Sequence, residues 1–331
     1  MGKSRDTGGQ RPGKGVCIMS VMVIGGTGFL GARILKRLAD EGEQVVAFDL
    51  FPSTELLDGY EDRVTLVKGD KTSIEQVIKA VKEHGVDKII DLAYILEIES
   101  MQNPHHALKV NIVGTNNVFE AARLMDVKRV LFSSSITAYG HYSNFGDKAL
   151  NEDDPLYPMT VYGSCKALSE FMAKVYAAAY GMEVIVLRVG SAFGPGRIAG
   201  ATAFVSNITT LPAKGEPLYI PLKESTHFVY SSVDDVARAF VTVCRAEPGT
   251  LKHNLYNIGG FTHRGDEVAA RIRELLPNAD IAFGDLDVYY VFRLDNSRIT
   301  EDTGFTLAYN MPEGLKANIN ETRRRESLPE V

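Results

Sequence analysis

Residues 25–31 read Gly25-Gly26-Thr27-Gly28-Phe29-Leu30-Gly31. They follow the apolar, β-branched run 21–24 and precede an amphipathic pattern in which Phe29, Leu30, Ile34, Leu35 and Leu38 share one face. Glycine recurring at a strand-to-helix junction answers three needs: a tight turn, close approach of a ligand to the backbone, and close packing of helix on strand. The helix that starts there offers unpaired N–H groups and the positive end of its dipole, a ready site for phosphate. A glycine-rich turn by itself is often only a turn; the strand before it and the helix after it make this one a phosphate cradle. The spacing Gly25-x-x-Gly28-x-x-Gly31 differs from the commonest dinucleotide-binding pattern, G-x-G-x-x-G.

The rest of the chain keeps the same alternation. Gly42 ends the first helix, 45–48 reads as a second strand closed by Asp49, and 64–67 as a third. Thr72 or Ser73 caps a helix carrying Ile74, Val77, Ile78 and Val81, which Gly85 ends. A fourth strand at 88–93 is nearly all apolar, as in a parallel sheet covered on both faces. A long helix over 104–125, a strand at 130–133, a helix at 161–180 and a strand at 183–189 follow. This order predicts an α/β fold, a doubly wound parallel sheet of Rossmann type with right-handed crossovers. Beyond Gly190 the rhythm loosens, with Gly194, Pro195, Gly196, Gly200, Pro212, Gly215, Pro217 and Pro221 breaking up short elements. The expected division is a disordered leader or tag at 1–18, a cofactor domain at 19–190, and a smaller, loop-rich substrate lobe at 191–331. Segments around 225–260 are expected to return to the first domain, among them a helix at 233–246 and a strand at 255–258; a further helix is expected at 266–276.

Composition removes other classes. An apolar fraction of 45% and a charged fraction of 24% are those of a globular protein with a large core. Lys+Arg of 36 against Asp+Glu of 42 gives a net charge of −6, which argues against general binding to nucleic acid or anionic membranes. No apolar run nears the roughly 18 residues of a membrane span. Cys17, Cys165 and Cys244 have no metal-ligand spacing and read as free thiols, no His/Cys/Asp pattern supports a metal, and the first residues lack a secretory pattern. A cytoplasmic protein is the expectation.

Asp49, at the end of the second strand, is placed to accept both hydroxyls of an adenosine ribose and to repel a 2′-phosphate. NAD is therefore expected rather than NADP. Arg33 alone argues the other way, and its helix position directs it to solvent. Asp70 is placed to meet the adenine edge, and Leu92, Ala93, Ser133 and Val189, at or near strand ends, complete the expected cofactor contacts. Tyr162 and Lys166 stand at i and i+4 on one helix face. A phenol is a poor base at neutral pH, but a nearby ammonium and a cationic nicotinamide both favour its phenolate. Ser133-Ser134-Ser135 at the end of the fifth strand brings a hydroxyl to the same place.

Taken together, these motifs resemble the extended short-chain dehydrogenase/reductase family, in its NAD-dependent epimerase/dehydratase branch. Residues 111–118, 132–140, Pro158, Leu187-Arg188, 193–196, 233–237 and 256–260 carry the resemblance from about 21 to 316. It implies Ser135, Tyr162 and Lys166 as the catalytic triad, Asn111 as a brace, and a homodimer formed through the helices at 104–125 and 161–180. Two departures narrow the reaction. Ile136 and Thr137 stand where the family's sugar-nucleotide dehydratases carry Asp-Glu, which weighs against dehydration. Ser191 and Ser225-Thr226-His227 stand where its nucleotide-sugar enzymes carry an Asn and a diphosphate-clamping Arg, though Arg197 offers a substitute. Ser135, His141, Tyr142, Ser191, Arg197 and His227 are the candidate substrate contacts. His141, Tyr142 and His227 read equally well as loop surface, and the adjacent His105 and His106 as a helix start. The leading expectation is an NAD-dependent oxidoreductase acting on a secondary alcohol or ketone of a small sugar-like or sugar-acid-like molecule. The alternative is a nucleotide-sugar epimerase with tightly bound NAD, like UDP-glucose 4-epimerase, and the third a non-catalytic dinucleotide sensor.

Overall fold

A computed structural model describes residues 20–197, 203–288 and 290–331; residues 1–18, Cys17 and Gly200 lie outside these. In chain order the first half comprises β1 (Ser20–Ile24), α1 (Phe29–Asp40), β2 (Gln44–Asp49), β3 (Val64–Lys68), α2 (Ile74–Glu83), β4 (Val86–Asp91), α3 (Glu97–Gln102), α4 (Pro104–Leu108), α5 (Thr115–Leu124), β5 (Arg129–Ser135), α6 (Val161–Tyr180) and β6 (Glu183–Val189). The second half comprises β7 (Ser191–Phe193), α7 (Phe204–Lys214), β8 (Leu218–Leu222), β9 (His227–Ser232), α8 (Val233–Arg245), β10 (Leu255–Ile258), β11 (Phe261–Arg264), α9 (Gly265–Leu275), β12 (Ile281–Leu286), α10 (Ser297–Thr303) and α11 (Met311–Arg325).

Seven parallel strands form one sheet in the order β10-β6-β5-β4-β1-β2-β3. The order reverses direction between β1 and β4, the switch point outside which such sheets bind ligands. Side chains alternate across the sheet as strand geometry requires. Val21, Val23, Val45 and Ala47 pack into the core under α1 and α8, and Met22, Ile24, Val46 and Phe48 into the core under α2, α5 and α6. Among the described residues a three-stranded sheet, β11-β9-β7, and the pair β8/β12 surround a further hydrophobic core that includes Phe193, Phe228, Ile272 and Leu315. Of the 225–260 stretch, α8 and β10 join the large sheet and β9 stays in the small one. No described helix is long and apolar enough to cross a membrane.

The helix expected over 104–125 forms, but it is not α-helical throughout. A π turn over Lys109–Gly114 separates α4 from α5. Asn111, fully buried in that turn, accepts from the Ile95 N–H (2.7 Å) and donates to the Ile95 carbonyl (3.0 Å). A helix satisfies its own backbone groups, so these side-chain bonds serve the irregular segment after β4 instead. Asn111 thus braces that segment.

Candidate active site

The carboxyl ends of β1, β2, β4, β5 and β6 open onto one cavity of about 590 Å³. Gly25, Gly28, Phe29, Leu30, Gly31, Asp49, Leu92, Ala93, Ser133, Ser135, Tyr162, Lys166, Val189, Ser191 and Arg197 all line it. Gly25 has φ of +77°, open to glycine at no steric cost. A Cβ at Gly31 would stand 2.3 Å from the Gly25 carbonyl oxygen, so α1 can approach the turn this closely only with glycine there. Gly28 begins α1 with no side-chain cap and no acidic residue in the first turn, leaving the helix N-terminus free for an anion. The cradle therefore fits a pyrophosphate. Asp49 accepts from Thr27 N–H (3.2 Å) and Thr27 Oγ1 (2.8 Å) through one oxygen, which fixes the carboxylate at the cavity wall.

Arg33 does not point to solvent. Its side chain is only 15% exposed and is ion-paired with Asp234 (3.2 Å) and Glu321 (2.6 Å). Two carboxylates on α8 and α11 claim the guanidinium, so it ties α1 to both helices. Four expected contacts are absent from the cavity lining. Asp70 accepts from the Thr72 N–H (2.8 Å) and shapes the turn into α2. His141 accepts from the Ser143 N–H (3.1 Å) and stacks on Tyr142, which packs against Phe292. His227 is exposed and stacks on Phe292 at 5.3 Å. His141, Tyr142 and His227 lie on a loop or at a strand start packed against Tyr290 and Phe292, in a stretch that has no periodic signal. Leu56, Tyr94, Glu97 and Tyr290 also line the cavity and escaped the sequence reading, because no motif or spacing marks them.

Ser135 ends β5, and its Oγ accepts from Thr137 N–H (3.2 Å) and Thr137 Oγ1 (3.0 Å). With both acceptor positions used, its own proton remains to be donated. Burial pushes the Tyr162 phenol up to about 12, opposed by hydrogen bonding with Ser135 and by the Arg197 charge, while Glu97 raises it further. Arg197 is thus a cation that favours the phenolate of Tyr162. The Lys166 ammonium donates to the Ser133 carbonyl, 3.4 Å from the centre of the Tyr94 ring and 5.4 Å from that of Tyr162. Behind them, Glu170 of α6 receives Arg188 of β6 (2.7 Å) and the Ser134 hydroxyl (2.5 Å). Arg188 donates to Tyr139 Oη (2.8 Å), whose hydroxyl donates to Asn257 of β10 (2.9 Å). This buried chain fastens α6 to the sheet at the level of the cavity. Together these groups can hold a dinucleotide and exchange a proton with an oxygen placed between Ser135 and Tyr162.

Residues 21–259 match the NAD dependent epimerase/dehydratase family. The uncharacterized protein MJ1055 of Methanocaldococcus jannaschii is 31% identical over 53% of this chain, and the match spans 57% of that protein, little more than half its length. A putative UDP-glucose 4-epimerase of the same organism is 24% identical over 91% of this chain and 97% of its own. The structure of a GalE-like L-threonine dehydrogenase from Cupriavidus necator, holo form, superposes with a TM-score of 0.83 at 24% identity, covering 91% of this chain and 99% of that one. At that identity the likeness establishes the fold.

Proposed function

The chain belongs to the NAD-dependent epimerase/dehydratase family, and from that premise we propose that it oxidises a secondary alcohol, or reduces the matching ketone, on a small hydroxylated substrate. One observation carries this reading: the glycine cradle, Asp49, Ser135, Tyr162 and Lys166 all face a single cavity. Bound NAD supplies the hydride acceptor for the carbon that bears the hydroxyl. The cradle and the α1 N-terminus hold its pyrophosphate, Asp49 the adenosine ribose, and Lys166 the nicotinamide ribose. Ser135 orients the reacting oxygen, Tyr162 Oη takes its proton in oxidation and returns it in reduction, and Arg197 stabilises the phenolate between. Residues 19–190 with β10 carry the cofactor and most of 191–331 shapes the substrate side.

The epimerase alternative needs a home for a nucleoside diphosphate. Arg197 is the only guanidinium among the described lining residues, and Glu55 and Glu97 share the wall with it. That balance favours a small substrate over a diphosphate, and Ile136 and Thr137 supply no acid–base pair for dehydration. The names of similar proteins set the panel: β-hydroxy amino acids, sugars, sugar acids, polyols, simple ketones and UDP-sugars, followed by absorbance of reduced nicotinamide. Stoichiometric NADH from a small alcohol is the expected result. Interconversion of UDP-sugars without net NADH would establish the epimerase instead.

We also assign a homodimer and a cytoplasmic setting. The support for the dimer is an apolar face on α4, the π turn, α5 and α6, where Leu108, Val113, Leu124, Leu168, Phe171 and Val175 are exposed, Phe171 by 64%. The support for the location is that Cys165 and Cys244 are buried free thiols.

A further inference from the structure

Tyr94 lies beside two buried ammonium groups. Lys166 Nζ is 3.4 Å from the centre of its ring and Lys71 Nζ 5.6 Å. The ring meets Tyr162 edge-on at 5.6 Å, and its hydroxyl is 3.2 Å from Ser169 Oγ on α6. Tyr94 belongs to no helix or strand, so its neighbours must hold it. Lys71 donates to both oxygens of Asp91 (2.9 and 2.8 Å) and to the Ala93 carbonyl (2.7 Å). It reaches them past Gly114, where a Cβ would come within 2.8 Å of the lysine Cε. Asn111 closes on both backbone groups of Ile95. The segment is therefore pinned at 91, 93 and 95, on either side of the ring.

We propose that Tyr94 is a positioning residue whose ring face holds the Lys166 ammonium charged and aimed at the cofactor groove, with Lys71 and Asn111 fixing the segment that carries the ring. The charges around Lys166 come from several elements. Lys71 approaches from the turn before α2, Asp91 from β4, and Glu170, itself paired with Arg188 of β6, from α6 alongside Cys165 and Tyr162. Burial and the Lys71 charge push the Lys166 ammonium well below its ordinary value, and Asp91, Glu170 and Cys165 pull it back. Against that burial, a cation held on an aromatic face gains a contact that favours its charged form.

The inference rests on the reading that Lys166 serves bound NAD, and its test needs no substrate. NADH is titrated by its own fluorescence from about pH 6 to about pH 10, where loss of the Lys166 proton weakens binding in a step. Lys166→Met should abolish that step and so identify it. Tyr94→Phe keeps the π face and should leave the midpoint in place. Phenylalanines with one to three ring fluorines at position 94 keep the shape but drain the face, and should move the midpoint down in steps, by about half to one and a half pH units in all. A fluorinated series that titrates with Tyr94→Phe would overturn the proposal. So would a Tyr94→Phe shift as large as the trifluoro shift, or a step that survives Lys166→Met. If the dehydrogenase reading were wrong, no alcohol in the substrate panel would reduce NAD, while this titration would still give its answer.

Discussion

At Tyr162 burial works against the chemistry. A phenol pushed up to about 12 holds its proton at neutral pH, and what opposes burial is Ser135 and the Arg197 charge. The phenolate that oxidation needs therefore becomes more populated as pH rises. Oxidation kcat/KM should climb through the neutral and alkaline range, and reduction, which needs the phenol, should favour lower pH; a pair of pH profiles checks both signs. Tyr162→Phe keeps the ring and removes the proton-transfer atom, so turnover should fall by about 10²–10⁴ with NADH binding intact. Ser135→Ala should cost less, and Lys166→Met should weaken both turnover and cofactor binding. A Tyr162→Phe enzyme keeping more than about a tenth of wild-type turnover with chemistry rate-limiting would restore the sensor reading. Asp49→Arg should weaken NAD by roughly ten- to a hundredfold and improve relative use of NADP, since charge-assisted bonds to ribose contribute about 1.5–3 kcal/mol. A wild-type preference for NADP would overturn that role for Asp49.

Among elements, α6 concentrates most function in one helix: Tyr162, Lys166 and Glu170 follow at four-residue steps, so they share a face. Glu170 and Arg188 are both buried, each with a side chain 3% exposed. Glu170→Ala leaves a buried guanidinium without its partner and should destabilise the protein by about 3–5 kcal/mol, read from urea denaturation. A loss below about 1 kcal/mol would mean that the pair does not clamp α6 to β6. The strands of the large sheet and α6 were legible because apolar runs and helical spacing depend on nearest neighbours along the chain, whereas β7, β8, β9, β11 and β12 carried no such signal. The strand at 255–258 was read to its ends, the glycine turn, Asp49 and Ser135 reached the cavity because sheet topology carries strand ends there, and Tyr162 reached it from the first turn of α6. The π turn was not legible: residues 109–114 keep a helical look, and Asn111 acts through Ile95, a tertiary partner. Arg33 was misread for a related reason, since a helix face exposed in isolation is covered by α8 and α11.

The whole molecule is tied together by contacts far apart in sequence, the Arg33–Glu321 pair spanning 288 positions. The exposed stripe on α6 and its neighbours gives the molecule a second face to bury. A homodimer at micromolar concentration is the expected light-scattering result, and Phe171→Glu should shift it toward monomer by placing a charge in an apolar contact. A wild-type monomer would remove the dimer. The return of β10 to the edge of the seven-stranded sheet also bears on how the chain is made. Synthesis delivers β1 to β6 first, and the neighbour of β6 emerges only after β7, β8 and β9. Until then the growing polypeptide carries an open strand edge at β6, and the Arg33–Glu321 pair forms later still. The cofactor half therefore gains its last edge strand only after β7, β8, β9 and α8 have been made, and an edge left open in that interval is one that other strands can pair with.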